Sequence, residues 1–341
     1  MFRLRIIFII LLCCCLHLSA TKKVEKPPIW VTSPSTMYSE SEYIVELGNG
    51  LTQNEADNKA IEGLASIFNR SISSKTDSSL KYYENAHGME RITNIDQKIL
   101  VSTSIKDLIG VEIKERWKSK DGGFYALAVL NRHKAIFIYS EKARLCASVI
   151  AESLNISSEE KGTFHEYFRY VSATSKAYEM SLYNAYLSVL SPASSFVFGK
   201  EYNPDKLKLE TSSIAKNILV EVRLGGNFTD ARFRSIFEKV FTSRGFTIAK
   251  SNNGRYILDV DLELEKASKL SEDRLMIRYS LTSELVDSVT GDSLLPFVIN
   301  DKAVNFSSEA LKNQIFKDVK KKVEKDFDAL FSKYMEDSFL E

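Results

Sequence analysis

The chain has almost no net charge. Lys and Arg number 46 against 45 Asp and Glu, leaving +1, which excludes a global electrostatic footprint for nucleic acid or for an anionic membrane surface. Cysteine is scarce: of the four present, Cys13, Cys14 and Cys15 crowd the amino terminus and only Cys146 lies in the body. No internal disulfide framework can form, so stability must come from packing. Long apolar runs are also missing; the longest, Ile6 to Leu16, falls short of the roughly 20 residues that cross a bilayer.

The usual signatures of bound metal, cofactor and nucleophile are missing too. Outside the amino-terminal segment His87, His133 and His165 stand far apart, with no His-x-x-x-His and no paired cysteines, so no zinc site and no other metal is expected. There is no Gly-x-Ser-x-Gly elbow, and Cys146 sits between Leu145 and Ala147, where it reads as a buried small hydrophobe. Gly48-Asn49-Gly50 stands between a strand and a helix, but Gln53 occupies the place of a third phosphate-loop glycine; the pair reads as a tight turn and no cofactor is expected. Gly225-Gly226 has no lysine in the Walker position and reads as a turn as well. Asp259, Asp261, Glu263 and Glu265 share one strand face, and with no bent loop to converge them they read as a solvated surface. Lys320-Lys321-Lys322 reads as the wet side of the last helix.

What is present is a globular composition, 44% hydrophobic and 27% charged over 341 residues, long enough for two domains. Arg3 and Arg5 precede the apolar run, and His17, Ser19, Ala20 and Thr21-Lys22-Lys23 follow it. That is the layout of an export signal over residues 1–20. Leu12-Cys13-Cys14-Cys15 matches a loose bacterial lipobox, with Cys15 the expected lipid attachment point and Cys14 and Cys13 the alternatives. Cleavage after Ala20 is the competing outcome and would remove all three. A diacylglycerol thioether plus an amide-linked acyl chain is enough for stable membrane attachment.

The body divides into three pieces. Over 27–137, a strand at Tyr43–Leu47 is followed by a helix whose capping box is Thr52 with Glu55, and whose apolar positions are Ala56, Ala60, Leu64, Ile67, Phe68 and Ile72. Val111, Ile113 and Trp117 alternate with Glu112, Lys114, Arg116 and Lys118, and the run Phe124–Leu130 returns after Asp121-Gly122-Gly123. This is a β-hairpin with one polar face. Over 138–192, a helix from Ile138 to Leu154 presents Leu145, Val149 and Ile156 on one side. A second helix, with Ser157 and Glu160 as its capping box, carries the coiled-coil seam Phe164, Phe168, Val171, Ser175, Tyr178, Leu182, Ala185 and Val189. The expected result is an antiparallel helical hairpin that either packs on its own neighbouring domain or projects to a partner. Tyr167, Tyr170, Tyr183 and Tyr186 lie largely off the seam, and aromatics in excess of one core suit an interface. Phe168, Tyr178, Tyr167 and Tyr183 are therefore the candidate protein-interaction residues.

Over 213–337, a strand at Ile218–Leu224 precedes a helix striped by Phe233, Ile236, Phe237, Val240 and Phe241 and stopped by Gly245. Strands follow at Leu258–Leu264, Leu275–Leu285 and Leu294–Val304. A long amphipathic helix closes the chain with Leu311, Ile315, Val319, Val323, Phe327, Leu330, Phe331 and Tyr334. The fold class expected is α+β, two sandwich-like domains with mixed or antiparallel sheets joined by the helical hairpin.

Pro28, Trp30, Val31, Gly48, Gly50, Ala56, Ala60, Ser73, Ser74, Gly110, Val111, Trp117, Tyr125 and Ala126 together resemble the twenty-kilodalton bacterial lipoprotein (Lpp-twenty) family, whose domain is also similar to the N-terminal domain of the flagellar assembly protein FlgT. The order of elements after Ser213 is similar, more loosely, to the middle domain of FlgT and the N-terminal domain of TolB. These resemblances imply an envelope protein, outer-membrane anchored and facing the periplasm, with a soluble periplasmic or secreted form as the alternative. They also imply action as a non-enzymatic assembly or accessory factor whose partners are other envelope proteins. A surface antigen or adhesin is the competing reading, followed by an envelope hydrolase whose site is assembled from distant residues.

Overall fold

The computed structural model describes residues 26–84, 108–192, 197–250 and 253–337. The export signal, Cys13 to Cys15 and His87 lie outside the described residues, as do the side chains of Ser73 and Ser74. The described chain forms two compact units, one running up to Ile67 and resuming over Leu108–Ala135, the other comprising Phe68 onward and Ile136 to the end. The fold class is α+β, with a three-stranded antiparallel sheet in the first unit and a six-stranded mixed sheet in the second.

In the first unit β1 (Tyr43–Gly50), β2 (Val111–Lys118) and β3 (Phe124–Asn131) pair in the order β1-β3-β2. The expected polar face belongs to β2 alone, which exposes Glu112, Lys114, Arg116 and Lys118. Central β3 buries Ala126 to Leu130 on both sides. One face packs against α1 (Gln53–Glu84) through Ala56, Ala60 and Leu64. The capping box forms: Glu55 N donates to Thr52 Oγ1 at 3.2 Å, and the Glu55 carboxylate accepts from Leu51 N at 2.9 Å. The other face carries Trp30, Leu127 and Val129, packed with Tyr38, Tyr43, Trp117 and Tyr125.

Gly48 and Gly50 do not make the turn expected of them; both lie within β1. A Cβ on Gly48 would stand 2.1 Å from the Ala56 carbonyl oxygen and 2.4 Å from Ala60 N. Glycine is needed there because the helix backbone rests directly on the strand, a steric reason that does not involve a positive φ.

In the second unit α2 (Arg132–Ser153) and α3 (Phe164–Leu190) run antiparallel. Tyr139, early in α2, meets Tyr183 and Tyr186, late in α3, with ring centroids 5.9 and 5.0 Å apart. At the other end Arg169 reaches back to the Ser153 carbonyl at 3.1 Å. The Ser157–Glu160 box also forms, with Ser157 N donating to Glu160 at 2.7 Å, but it closes a turn that is not continued. α3 begins seven residues later under its own box, in which Glu166 N donates to Thr163 Oγ1 at 3.2 Å and Gly162 N to the Glu166 carboxylate at 2.6 Å. A helix absent from the sequence reading, α4 (Pro204–Asn217), packs along α3.

The mixed sheet contains β4 (Leu219–Gly225), β5 (Thr247–Ile248), β6 (Tyr256–Leu264), β7 (Ser268–Ser271), β8 (Arg274–Asp287) and β9 (Ser293–Asn305). β4 runs parallel to β5 and β6; β8 is antiparallel to β6 and β7 on one side and to β9 on the other. One face is packed by α5 (Ala231–Thr242), α6 (Ser308–Lys322), a π-helical turn (Val323–Phe327) and α7 (Asp328–Asp337). Leu311, Ile315, Val319, Val323, Phe327 and Phe331 of the last three are all fully buried.

Candidate interaction surface

The four residues expected to meet a partner are turned inward or held internally. Phe168 is only 5% exposed and belongs to the core of the mixed-sheet unit, as does Tyr167. The reason is the end of α3 on which they sit. Phe164 stacks on Tyr256 of β6 with ring centroids 3.7 Å apart, and its backbone N–H donates to the Tyr256 hydroxyl at 2.8 Å. This fixes the first two turns of α3 against the sheet, and Phe168 follows into contact with Phe331 and Tyr334. Burial pushes the Tyr167 phenol up to about 12, and its hydroxyl donates to the Arg244 carbonyl at 3.3 Å.

Tyr183 is buried at the other end, and its hydroxyl donates to Glu179 at 2.7 Å. Half-buried Tyr178 donates to Asp205 of α4 at 3.0 Å. The expected seam is thus part of a broader buried surface. Phe164, Phe168, Leu182 and Ala185 are buried, but so are Ala173, Ala177, Met180, Tyr186, Leu187 and Leu190, while Val171, Ser175 and Val189 are only half-buried. Contact on several sides, by α2, α4 and the sheet unit, widens the stripe beyond the two positions per heptad of an isolated pair.

Between α2 and α3 lies a small polar cluster. Glu179 accepts from Lys176 at 2.7 Å and from Tyr183. Burial raises the Glu179 pKa, but these two donors outweigh it and the net shift is downward. Burial pushes the neighbouring Cys146 thiol up to about 11, with the Glu179 charge adding to the effect. A thiol so held is protonated and inward-facing at neutral pH, as a small core side chain. Among the described residues no group of His, Cys, Asp and Glu is arranged to hold a metal ion. His133 and His165 are exposed, and so are Asp259, Asp261, Glu263 and Glu265 along β6.

The surface that α2 does offer was not read from the sequence. Leu145, expected on its apolar side with Val149, is 64% exposed, and Phe137, two turns earlier, is 69% exposed. The inner face is instead Tyr139, Ala143, Cys146 and Ile150, spaced four, three and four. Both stripes are written in the same stretch. The larger side chains of the outer one drew the assignment, whereas close helix packing favours the smaller ones. The outer face also carries Arg144, whose guanidinium lies 5.6 Å from the Phe198 ring centroid.

No family model matches this sequence, and no curated protein matches it. Solved structures with a similar arrangement include the secreted protein HP1454 of Helicobacter pylori, at 13% identity over 87% of this chain and 97% of that one, with a TM-score of 0.42. A minor lipoprotein of Acinetobacter baumannii is 16% identical over 33% of this chain and 91% of its own, with a TM-score of 0.26. Rare lipoprotein B of Shewanella oneidensis is 13% identical over 33% and 92%, with a TM-score of 0.22. These neighbours are secreted or lipoprotein-type bacterial proteins. No helix among the described residues is long and apolar enough to cross a membrane.

Proposed function

We propose that this chain is an exported envelope lipoprotein, anchored through Cys15, that binds another envelope protein as an assembly or accessory factor and performs no chemistry of its own. The observation that carries the binding part is the outer face of α2. Phe137 and Leu145 expose two large apolar side chains two turns apart on a helix whose inner face is already fixed by α3. Exposed apolar side chains grouped on one rigid element favour a protein partner with a matching apolar strip. The anchor rests on Leu12-Cys13-Cys14-Cys15 behind Arg3 and Arg5.

Photo-crosslinkers placed at positions 137 and 145 in intact cells test the surface. The expected result is one shared partner at both positions, lost in the Phe137→Asp, Leu145→Asp double variant, with none captured from a probe at buried 168. Distinct captures at 137 and 145, or capture unaffected by the double variant, would remove the assignment. Cells fed a labelled fatty acid test the anchor; a mature product that takes up no label and partitions into the aqueous phase of a detergent separation would show cleavage after Ala20. Resistance to protease added to intact cells is expected of a periplasm-facing protein, and cleavage would instead favour an outward-facing adhesin.

A further inference from the structure

The face of the mixed sheet opposite its helices is open, and the strand register places two rows of polar side chains across it. Glu263, Ser280 and Asn300 are cross-strand neighbours on β6, β8 and β9. Two residues along, Glu265 N donates to the Arg278 carbonyl at 2.9 Å, and Arg278 stands directly opposite Lys302. Side chains alternate along a strand, so the row between, Leu264, Tyr279 and Asp301, points the other way. Tyr279 is only 3% exposed, and Asp301 accepts from Lys322 of α6 at 2.6 Å. The backbone of that middle row is therefore the floor of a trough and the two polar rows are its walls. Asn227 closes the β6 end, its amide clasping Leu264 through both the backbone N–H at 2.8 Å and the carbonyl at 3.0 Å. The enclosed volume is about 650 Å³.

The charges in this trough are left uncompensated. Like charges directly opposite on neighbouring strands are destabilising, yet Arg278 faces Lys302, and among the described residues neither is paired with a carboxylate. Glu263 and Glu265 likewise have no cationic partner among the described residues. A sheet face that needed only to be wet could pair these groups with one another. The trough instead holds an anionic edge on β6 and a cationic edge on β8 and β9. Between them Ser280 Oγ and Asn300 Oδ1 share a hydrogen bond of 2.8 Å, which leaves the Asn300 amide nitrogen available to a ligand.

We propose that this trough binds a short extended peptide by its free ends, the carboxylate on Arg278 and Lys302, the ammonium on Glu263 and Glu265, and a peptide carbonyl on the Asn300 amide. Strands lie about 4.8 Å apart, so the two edges are separated by roughly 5 to 10 Å, which an extended di- or tripeptide spans at about 3.4 Å per residue. An arginine fork suits a carboxylate, and the lysine adds a point charge. The inference does not depend on the outer face of α2.

Nuclear magnetic resonance titration of the full chain with trialanine tests it, with N-acetyl-trialanine, trialanine amide and acetate as comparisons. Trialanine is expected to shift the backbone resonances of Ser280, Asn300 and Lys302 saturably, and blocking either end is expected to weaken binding at least tenfold. Arg278→Gln with Lys302→Gln should abolish the preference for a free carboxylate, and Glu263→Gln with Glu265→Gln the preference for a free ammonium. All four side chains are on the surface, and an unchanged spectrum elsewhere shows that each variant folds. No saturable shift would overturn the proposal. So would acetate binding as tightly as trialanine, which would make the trough a simple anion site, or trialanine binding unchanged in both double variants.

Discussion

Replacing Phe168 by Ala separates a core role from an interface role in one measurement. The ring is buried and has four aromatic neighbours: Phe164 at 5.9 Å, Tyr167 at 5.6 Å, Phe331 at 6.4 Å and Tyr334 at 6.2 Å between centroids. Truncating a buried phenylalanine costs about 3–5 kcal/mol through lost transfer energy and the cavity left behind. These neighbours belong to separate elements tied down by other contacts, so little collapse is expected and the cost should be about 4 kcal/mol. With a urea dependence of about 2 kcal/mol/M, the midpoint of the second unit falls by roughly 2 M. The probe must report that unit. Both tryptophans, Trp30 and Trp117, pack in the first, so hydrogen exchange across residues 277–285 is the suitable readout. Tyr178→Phe is the internal contrast, since it removes only a part-buried hydroxyl bond, and should cost about 1 kcal/mol or less. A Phe168→Ala protein with an unmoved midpoint that nonetheless fails to capture its partner would refute the core assignment.

Two further outcomes follow from the packing. Gly48→Ala should unsettle the first unit, because the new methyl meets the backbone of α1 at Ala56 and Ala60 and no side chain can swing away; the cost is expected at or above the upper end of about 1–3 kcal/mol for overpacking, read by tryptophan fluorescence, and an unchanged midpoint would contradict the close approach. The Glu160 carboxyl is held below its ordinary value by the Ser157 backbone N–H, with burial opposing and Arg169 assisting. A lowered folded value means stability fully present above the ordinary carboxylate range and lost as pH falls through the lowered value. Urea midpoints of wild type and Glu160→Gln should therefore differ near neutrality and converge on acidification; a pH-independent difference would exclude the ionised carboxylate as its source.

Much of the architecture is legible in the chain because it depends on local chemistry. The Thr52–Glu55 box starts α1, the Asp259-to-Glu265 alternation makes β6, and the stripe from Phe233 to Phe241 makes α5. What escapes depends on distant neighbours. The glycines of β1 answer to a helix lying on them, and the inner face of α2 is decided by α3. α4 was legible and missed: Asn203 caps it by accepting from Asp205 N and Lys206 N, and Pro204 takes the first position, a sequence start signal obscured by a weak apolar stripe. β7 exposes all four of its residues and carries no alternation to detect. The trough is invisible to a linear reading because its walls come from three strands whose register is set only in the folded sheet, whereas the anchor is written contiguously.

The π-helical turn at Val323–Phe327 bears on how the carboxyl-terminal stretch tolerates change in length. Residues from Leu311 to Phe327 enter the interior at every fourth position, a cadence that a helix of 3.6 residues per turn outruns, so the buried line creeps around the axis. The wider turn absorbs one surplus residue and resets the phase before Phe331. Excising a single residue there would let the helix close into regular geometry while swinging everything downstream by about 100°, carrying Phe331 away from Phe164 and Phe241. The irregularity is thus a phase adjuster, and the hold of α3 on the sheet unit depends on its count.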